Sequence, residues 1–292
     1  AINLLGKGQH RGAQLAGAAN VGAGSLRGIQ AAGAVNALGG RLEGAQVAGA
    51  INLLGEGQHR GVQVAGAVNV GAGSLRGFQL SGAVNVAEAI DGGQIGVVNV
   101  AGDNRGAQIG IVNVAGKMAG IQIGIVNIAD EFEGVPVGLL NYSRNGRWDV
   151  ELSGDEVFPT MVGLRTGTKT FHAILGVAGH PDSEPRRWAP VVGFGGEIPV
   201  GRFSLGVDVL HYNINEGEWW TDELHVLNKL RITVNMRLHD QFSVFAGVTG
   251  NVLVSKLNDG SHLDLGGSPI YDTKRNDTWV RIWPGIVAGM TF

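Results

Sequence analysis

The chain has 292 residues, a formal net charge of −3 and no cysteine. That excludes disulfides, thiolate metal sites, cysteine nucleophiles and a cysteine-borne lipid anchor within these residues, and the absence of a basic excess removes any nucleic-acid footprint. Glycine supplies 50 residues, which argues against helices because each glycine costs a helix interior roughly 1 kcal/mol. No apolar run reaches the ~18 residues of a membrane-spanning helix, a limit that leaves a membrane barrel open.

Composition splits the chain near residue 145. Of the 50 glycines, 32 lie before residue 150, and all six tryptophans (148, 188, 219, 220, 279 and 283) lie after residue 145. The first part is a repeat array. A unit of Gly-x-Gln, a few small or apolar residues and then Asn recurs, with Gln at 14, 30, 46, 63, 79, 94, 108 and 122. The matching Asn sit at 3, 20, 36, 52, 69, 85, 99, 113, 127 and 141. Residues 2–36 return at 51–85, so a block of three units was duplicated.

Segments such as 121–128 are β-branched and too short for a stable helix. A coil of 14 to 17 residues holds two short strands and two tight turns, which suits a narrow parallel β-solenoid of about nine coils over 1–145. Stacked coils would set Gln94, Gln108 and Gln122 in one amide ladder and Asn99, Asn113 and Asn127 in another. Charged and imidazole side chains (Lys7, His10, Arg11, Arg27, Arg41, Glu43, and His59 by repetition) are expected in turns facing water. The chain begins inside a repeat, since residues 1–5 match 50–54, so further coils and an export signal are expected upstream.

Residues 146–292 read as an eight-stranded antiparallel barrel, with strands near 147–153, 158–166, 170–178, 188–198, 202–212, 228–238, 242–254 and 279–292. Residues of alternate parity form one apolar and one polar surface per strand. Three features turn the apolar surface toward lipid. The polar faces bring four acids, Asp149, Glu151, Glu197 and Asp208, to four bases, Arg165, Arg231, Arg237 and Arg281, with His172, as a lumen of paired charges requires. Connections alternate between short turns and long loops, the outer-membrane pattern, with the first hairpin near 154–157 as the exception. The apolar parity carries Trp148, Phe171, Phe203, Phe242 and Phe292 at the short-turn end, one interfacial girdle, with Phe158 and Trp188 expected at the other.

The last strand, ending in Phe292, looks like the signal by which outer-membrane barrels are recognised for assembly, and residues 147–292 resemble small OmpA-like barrels. The Gly-x-Gln-x-Gly-x-x-Asn units of 1–145 resemble the bacterial surface-repeat family of spirochaete lipoproteins and other Gram-negative outer-membrane proteins, best at Gln94, Gln108 and Gln122. Earlier units carry one extra residue between Gln and Asn, and the lipoprotein cysteine is missing, so the barrel would stand in for the lipid. The resemblance implies location and shape, not chemistry.

No motif announces catalysis, a cofactor or a metal. The Gly22–Gly28 stretch lacks the strand–loop–helix context and Lys-Ser/Thr ending of a phosphate loop. Asp130, Glu131 and Glu133 read as a solvated corner before a Ca²⁺ site. His172 reads as a salt-bridge partner before a catalytic base, since no serine and carboxylate accompany it at a recognisable spacing.

An even strand count brings both barrel ends to the short-turn side, which in outer-membrane barrels faces the periplasm. The expectation is a non-enzymatic outer-membrane protein with a periplasmic solenoid acting as scaffold or assembly module. Its partners would be outer-membrane lipid, the assembly machinery through Phe292, and other copies or envelope proteins. The runner-up is a surface adhesin with repeats outside the cell, and behind it a lipid-modifying enzyme. Trp219 and Trp220, adjacent in a long loop, are the clearest contact residues, and the 255–278 loop the other surface-exposed stretch.

Overall fold

The computed structural model describes residues 1–221, 224–239, 241–256, 263, 265 and 268–292, so most of the 257–267 loop lies outside the described residues. The chain is all-β, with no helix among the described residues, and forms two compact units, Ala1–Gly146 and Arg147–Phe292.

In the first unit parallel strands stack coil upon coil in strict register. Val98–Ile109 lies on Val112–Ile123 with Asn99 opposite Asn113 and Gln108 opposite Gln122. Early coils use two separate strands, such as Ala19–Gly22 and Ser25–Ala32, whereas each coil from Val84 to Val137 is one continuous bent strand. The longer coils carry their extra residues in the turns, so Asn and Gln registers survive the change of period. One residue of the slip is absorbed between Ala87 and Ala89, where Val84–Ile95 pairs with Val68–Ser81, and the other at the Gly96-Val97 turn, before Val98 meets Val84.

One glycine per coil is indispensable. Gly92, Gly106 and Gly120 have φ near +145°, +143° and +142°, a region that L side chains rarely adopt. A Cβ on Gly106 would also lie 1.9 Å from the Gly92 carbonyl oxygen. Two apolar columns flank the buried amides. One runs through Leu26, Leu42, Leu75, Ile90, Met118 and Phe132, the other through Leu38, Leu54, Ala87, Ala101, Ala115 and Ala129.

His59 belongs to the first of these columns, opposite Leu75, and is 1% exposed. The expectation of a water-facing turn is therefore corrected for His59. Its exposed neighbours Gln58 and Arg60 point outward, and strand alternation sends the residue between them inward. Its Nδ1 accepts the Leu42 N–H at 3.2 Å and its Nε2–H donates to the Gly55 carbonyl at 2.9 Å, which defines a neutral tautomer. Burial pushes the imidazole below the usual histidine range. Asn104 occupies the same column between Ile90 and Met118, and neither atom of its buried amide has a partner among the described residues.

The second unit is a closed barrel of eight antiparallel strands: β1 (Arg147–Asp155), β2 (Thr160–Gly167), β3 (Phe171–His180), β4 (Arg187–Val200), β5 (Phe203–Asn213), β6 (His225–His239), β7 (Phe242–Lys256) and β8 (Thr278–Thr291). Neighbours pair in sequence order, and β1 closes on β8 from Glu151↔Thr291 to Asp155↔Val287. The brief connections from β2 to β3, β4 to β5 and β6 to β7 form the short rim. The opposite rim carries the 156–159 hairpin and the longer connections. Within the 255–278 stretch, a short strand Tyr271–Arg275 folds back on β8.

Outward positions are aliphatic and exposed: Val150, Leu152, Val207, Val209, Leu230, Ile232, Val234, Val248 and Ile286. Inward positions form two layers. Towards the long-loop rim an apolar cluster includes Phe158, Met161, Leu210, Tyr212, Leu227, Leu253 and Trp283, and charged groups fill the rest.

Candidate functional site

Strand alternation places the lumenal charges. Glu151 on β1 accepts from Arg165 Nε on β2 at 2.5 Å, from Arg231 Nη1 on β6 at 2.5 Å and from Ser153 Oγ at 2.8 Å. Asp208 on β5 accepts from Arg231 Nε at 2.9 Å and bonds His172 Nε2 on β3 at 2.9 Å. The Phe245 ring faces both guanidinium groups, with centroid distances of 5.4 Å to Arg165 and 5.3 Å to Arg231. All five charged or imidazole groups are at most 2% exposed. A buried charge is tolerated only when paired and hydrogen-bonded, and here each carboxylate meets more than one donor. Asp149 and Glu197 form a second group near the short-turn rim. Arg147 bonds Asp149 at 2.6 Å and also bridges to Glu197.

Two expected members stand apart. Arg237 has the inward parity of β6 but lies at its exposed end, where the strand runs out of the barrel. Arg281 meets Asp272 at 3.7 Å, on a short strand within the stretch expected to be loop, and lies over the Trp279 and Trp283 rings. Conversely, Arg147 and the pair Lys229–Asp155 are lumenal groups absent from the expected set. Lys229 is fully buried beside the Tyr212 ring, 5.3 Å from its centroid. Its parity with Arg231 is the signal that points to it. Asp155 is masked in the sequence by its position at a turn, where it also accepts the Val157 and Phe158 N–H groups at 2.9 Å.

The five short-rim aromatics come together as a ring of outward positions, because Phe171, Phe203 and Phe242 begin β3, β5 and β7, Trp148 opens β1 and Phe292 follows β8. Phe242 and Phe292 have ring centroids 5.4 Å apart. Phe158 does not join an opposite girdle. It is fully buried and stacks on Tyr212 at 5.7 Å, because the 156–159 hairpin folds over the barrel mouth. Trp188 does face outward at the long-loop end, where Trp219 stacks on it at 4.8 Å and Trp220 meets it edge-on at 6.5 Å. The exposed pair thus belongs to a three-tryptophan cluster.

No protein-family model, curated protein or solved structure matches this chain. What the site can do rests on its own geometry. His172 bonds a carboxylate, and Ser153 donates to Glu151 instead of to an imidazole, so these groups hold one another and do not form a nucleophile with its base.

In the solenoid the ladders are continuous. Gln30, Gln46, Gln63, Gln79, Gln94, Gln108 and Gln122 each donate from Nε2 to the Oε1 of the preceding glutamine at 2.6–2.9 Å. The asparagines donate the other way, from Asn3 through Asn20 to Asn141. Orientation is fixed because the second N–H is also used, as where Asn99 donates to the Ile109 carbonyl at 2.9 Å. The glutamine ladder ends at Pro136, which lies opposite Gln122 and has no amide side chain, so Gln122 Oε1 is left without a partner among the described residues.

Charges keep to one edge. Columns such as Arg60, Arg76, Asp91 and Arg105 follow one another coil by coil. Glu43 is bonded by Arg27 and lies 3.0 Å from Arg41, and the Arg27 hydrogen bond holds its carboxyl below the usual carboxylate range. Two of the three acids of the expected solvated corner are paired, Asp130 with Arg144 at 3.0 Å and Glu131 with Lys117 at 3.5 Å, while Glu133 is exposed.

Proposed function

We propose that this protein is a non-enzymatic structural and interaction component of a bacterial outer membrane, with the barrel as anchor and the solenoid as a periplasmic scaffold or assembly module. The observation that carries the reading is the inversion of the second unit. Its exposed surface is an aliphatic band with an aromatic ring at the short-turn rim, while its fully buried groups include Glu151, Asp208, Arg165, Arg231 and Lys229. A water-soluble barrel would hide the aliphatic set and solvate the charges, whereas lipid rewards the reverse. Outer-membrane lipid and, through the terminal Phe292, the barrel-assembly machinery are the partners this reading implies.

The short turns define the periplasmic rim in such barrels, and the solenoid leads directly into β1, whose first residue lies on that rim. The alternative, repeats outside the cell as an adhesin, is supported by the resemblance of the Gln and Asn units to surface repeats. Protease accessibility on intact cells separates the two, with one epitope tag in the 255–278 loop and another near Asp103-Asn104-Arg105. Cleavage of the loop tag alone fits the periplasmic scaffold. Cleavage of both tags moves the adhesin reading ahead.

A further inference from the structure

The two edges of the solenoid are opposites. Residues 1–143 contain sixteen Asp, Glu, Lys and Arg, eight acidic and eight basic. All lie in the turn that leads from each Asn-bearing strand to its Gln-bearing strand, or in the residues flanking that turn. The other turn carries none. In the earlier coils it is Gly-Ala, as at Gly49-Ala50. In the last four it becomes Gly96-Val97, Gly110-Ile111, Gly124-Ile125 and Gly138-Leu139. With Ile95, Ile109 and Ile123 beside them, these side chains make a convex aliphatic ridge about 15 Å long at one strand spacing per coil. Ile111 and Ile125 are 48% and 49% exposed.

The main chain at Ile111 and Ile125 on this ridge makes its hydrogen bonds within the solenoid. Ile111 N and Val112 N both donate to the Val97 carbonyl, at 2.8 and 3.0 Å, and Ile125 N and Val126 N repeat the pattern on Ile111 at 2.9 and 3.0 Å. Gly110 N reaches the Ile123 carbonyl at 2.9 Å, and the same carbonyl accepts the Asn113 amide at 2.9 Å. Backbone that satisfies its hydrogen bonds internally is the condition for contact with hydrocarbon. A protein partner would need a matching concave groove, whereas acyl chains conform to a convex ridge with a polar opposite edge, as they do around an interfacial amphipathic helix. Leu139 is followed at Arg147 by the first barrel strand, so the ridge is bulkiest in the coils that precede the anchor in the chain.

We infer that the Val97–Ile111–Ile125–Leu139 ridge lies in the lipid surface, burying its aliphatic turns among acyl chains while the charged edge faces water. This rests on the membrane reading of the barrel. The cysteine-free chain permits a direct test. Three full-length variants, Ile125→Cys on the ridge, Asp103→Cys on the charged edge and Val207→Cys on the outer face of β5, are labelled with a small fluorophore and reconstituted in phosphatidylcholine vesicles. Quenching is read with acyl-chain nitroxide lipid and, separately, with aqueous iodide.

The expected result is that labels at 125 and 207 lose most of their emission to the nitroxide and little to iodide, with the reverse at 103. Nitroxide quenching at 207 but not at 125 overturns the ridge assignment and leaves the anchored barrel standing. Protection at 125 from both quenchers assigns the ridge to a second copy and equally overturns it. No nitroxide quenching at 207 removes the membrane reading, and the inference with it. Ile111→Cys repeats the measurement should the variant at 125 fold poorly.

Discussion

Replacing Asn99 with alanine removes one rung from the middle of the asparagine ladder. The native amide donates to Asn113 Oδ1 and to the Ile109 carbonyl, each at 2.9 Å, and its oxygen accepts from Asn85 Nδ2 at 2.9 Å. After Asn99→Ala, the Ile109 carbonyl keeps the Gly96 N–H and Asn85 Nδ2 keeps the Ile95 carbonyl. Asn113 Oδ1 loses its ladder donor inside a fully buried site. One orphaned acceptor costs about 1–3 kcal/mol and one half-satisfied donor roughly 1 kcal/mol more, for a total of about 2–4 kcal/mol. The assay is hydrogen exchange on the full chain in micelles, following peptides from 84–127. Stability in a stack is carried between neighbours, so the loss should fall on the coils around residues 85, 99 and 113 and leave β1–β8 unchanged. A loss at 99 below about 0.5 kcal/mol, or one spread evenly over every coil and the barrel, would refute the reasoning that buried amide pairing holds the coils.

Arg231→Ala leaves Glu151 and Asp208 facing a vacated site and should destabilise the barrel by about 3–5 kcal/mol. Urea unfolding in micelles checks it, and combining Arg231→Met with Asp208→Asn, which leaves Glu151 paired with Arg165, should recover most of the loss. Asn104→Leu replaces an unpaired buried amide with the side chain found at Leu26, Leu42 and Leu75, and exchange protection of that coil should rise by about 1–3 kcal/mol. For His59, the folded imidazole titrates below the unfolded one, so the unfolded state binds the extra proton. The stabilisation is complete above the unfolded value of about 6.5 and is lost as pH falls through the folded value. Opening free energies of coil 58–71 at pH 7 and pH 5, corrected for intrinsic exchange, should show this fall, and His59→Leu should abolish it.

The solenoid is legible because an amide recurs at the same place in every coil, and a parallel stack has one register that aligns Gln with Gln and Asn with Asn. The extra turn residues before position 90 blur the period without touching that register. His59 is misleading because its sequence neighbours are polar and charged. The column Leu26, Leu42, His59, Leu75 shows its direction, and that column appears only when coils are aligned through Gly44 and Gly61. In the barrel, alternation finds Glu151, Asp208 and Arg231 because period 2 maps directly to inside and outside. It fails where strands end. Asp155 and Phe158 sit at a hairpin that folds inward, Arg237 sits where β6 leaves the barrel, and the partner of Arg281 comes from Tyr271–Arg275, whose polar sequence carries no strand signal.

The opposed donor directions of the two ladders bear on how such a chain can grow. A single column of aligned amides adds its dipoles end to end, as a helix does, and leaves opposite partial charges at its two ends. Here every glutamine points its donor towards the N-terminus and every asparagine towards the C-terminus, so a new coil brings two amide dipoles that largely cancel. Inserting a block such as residues 2–50 therefore lengthens the rod without polarising it. Gene duplication in this architecture changes coil number while each end of the stack presents one ladder by its donor and the other by its acceptor.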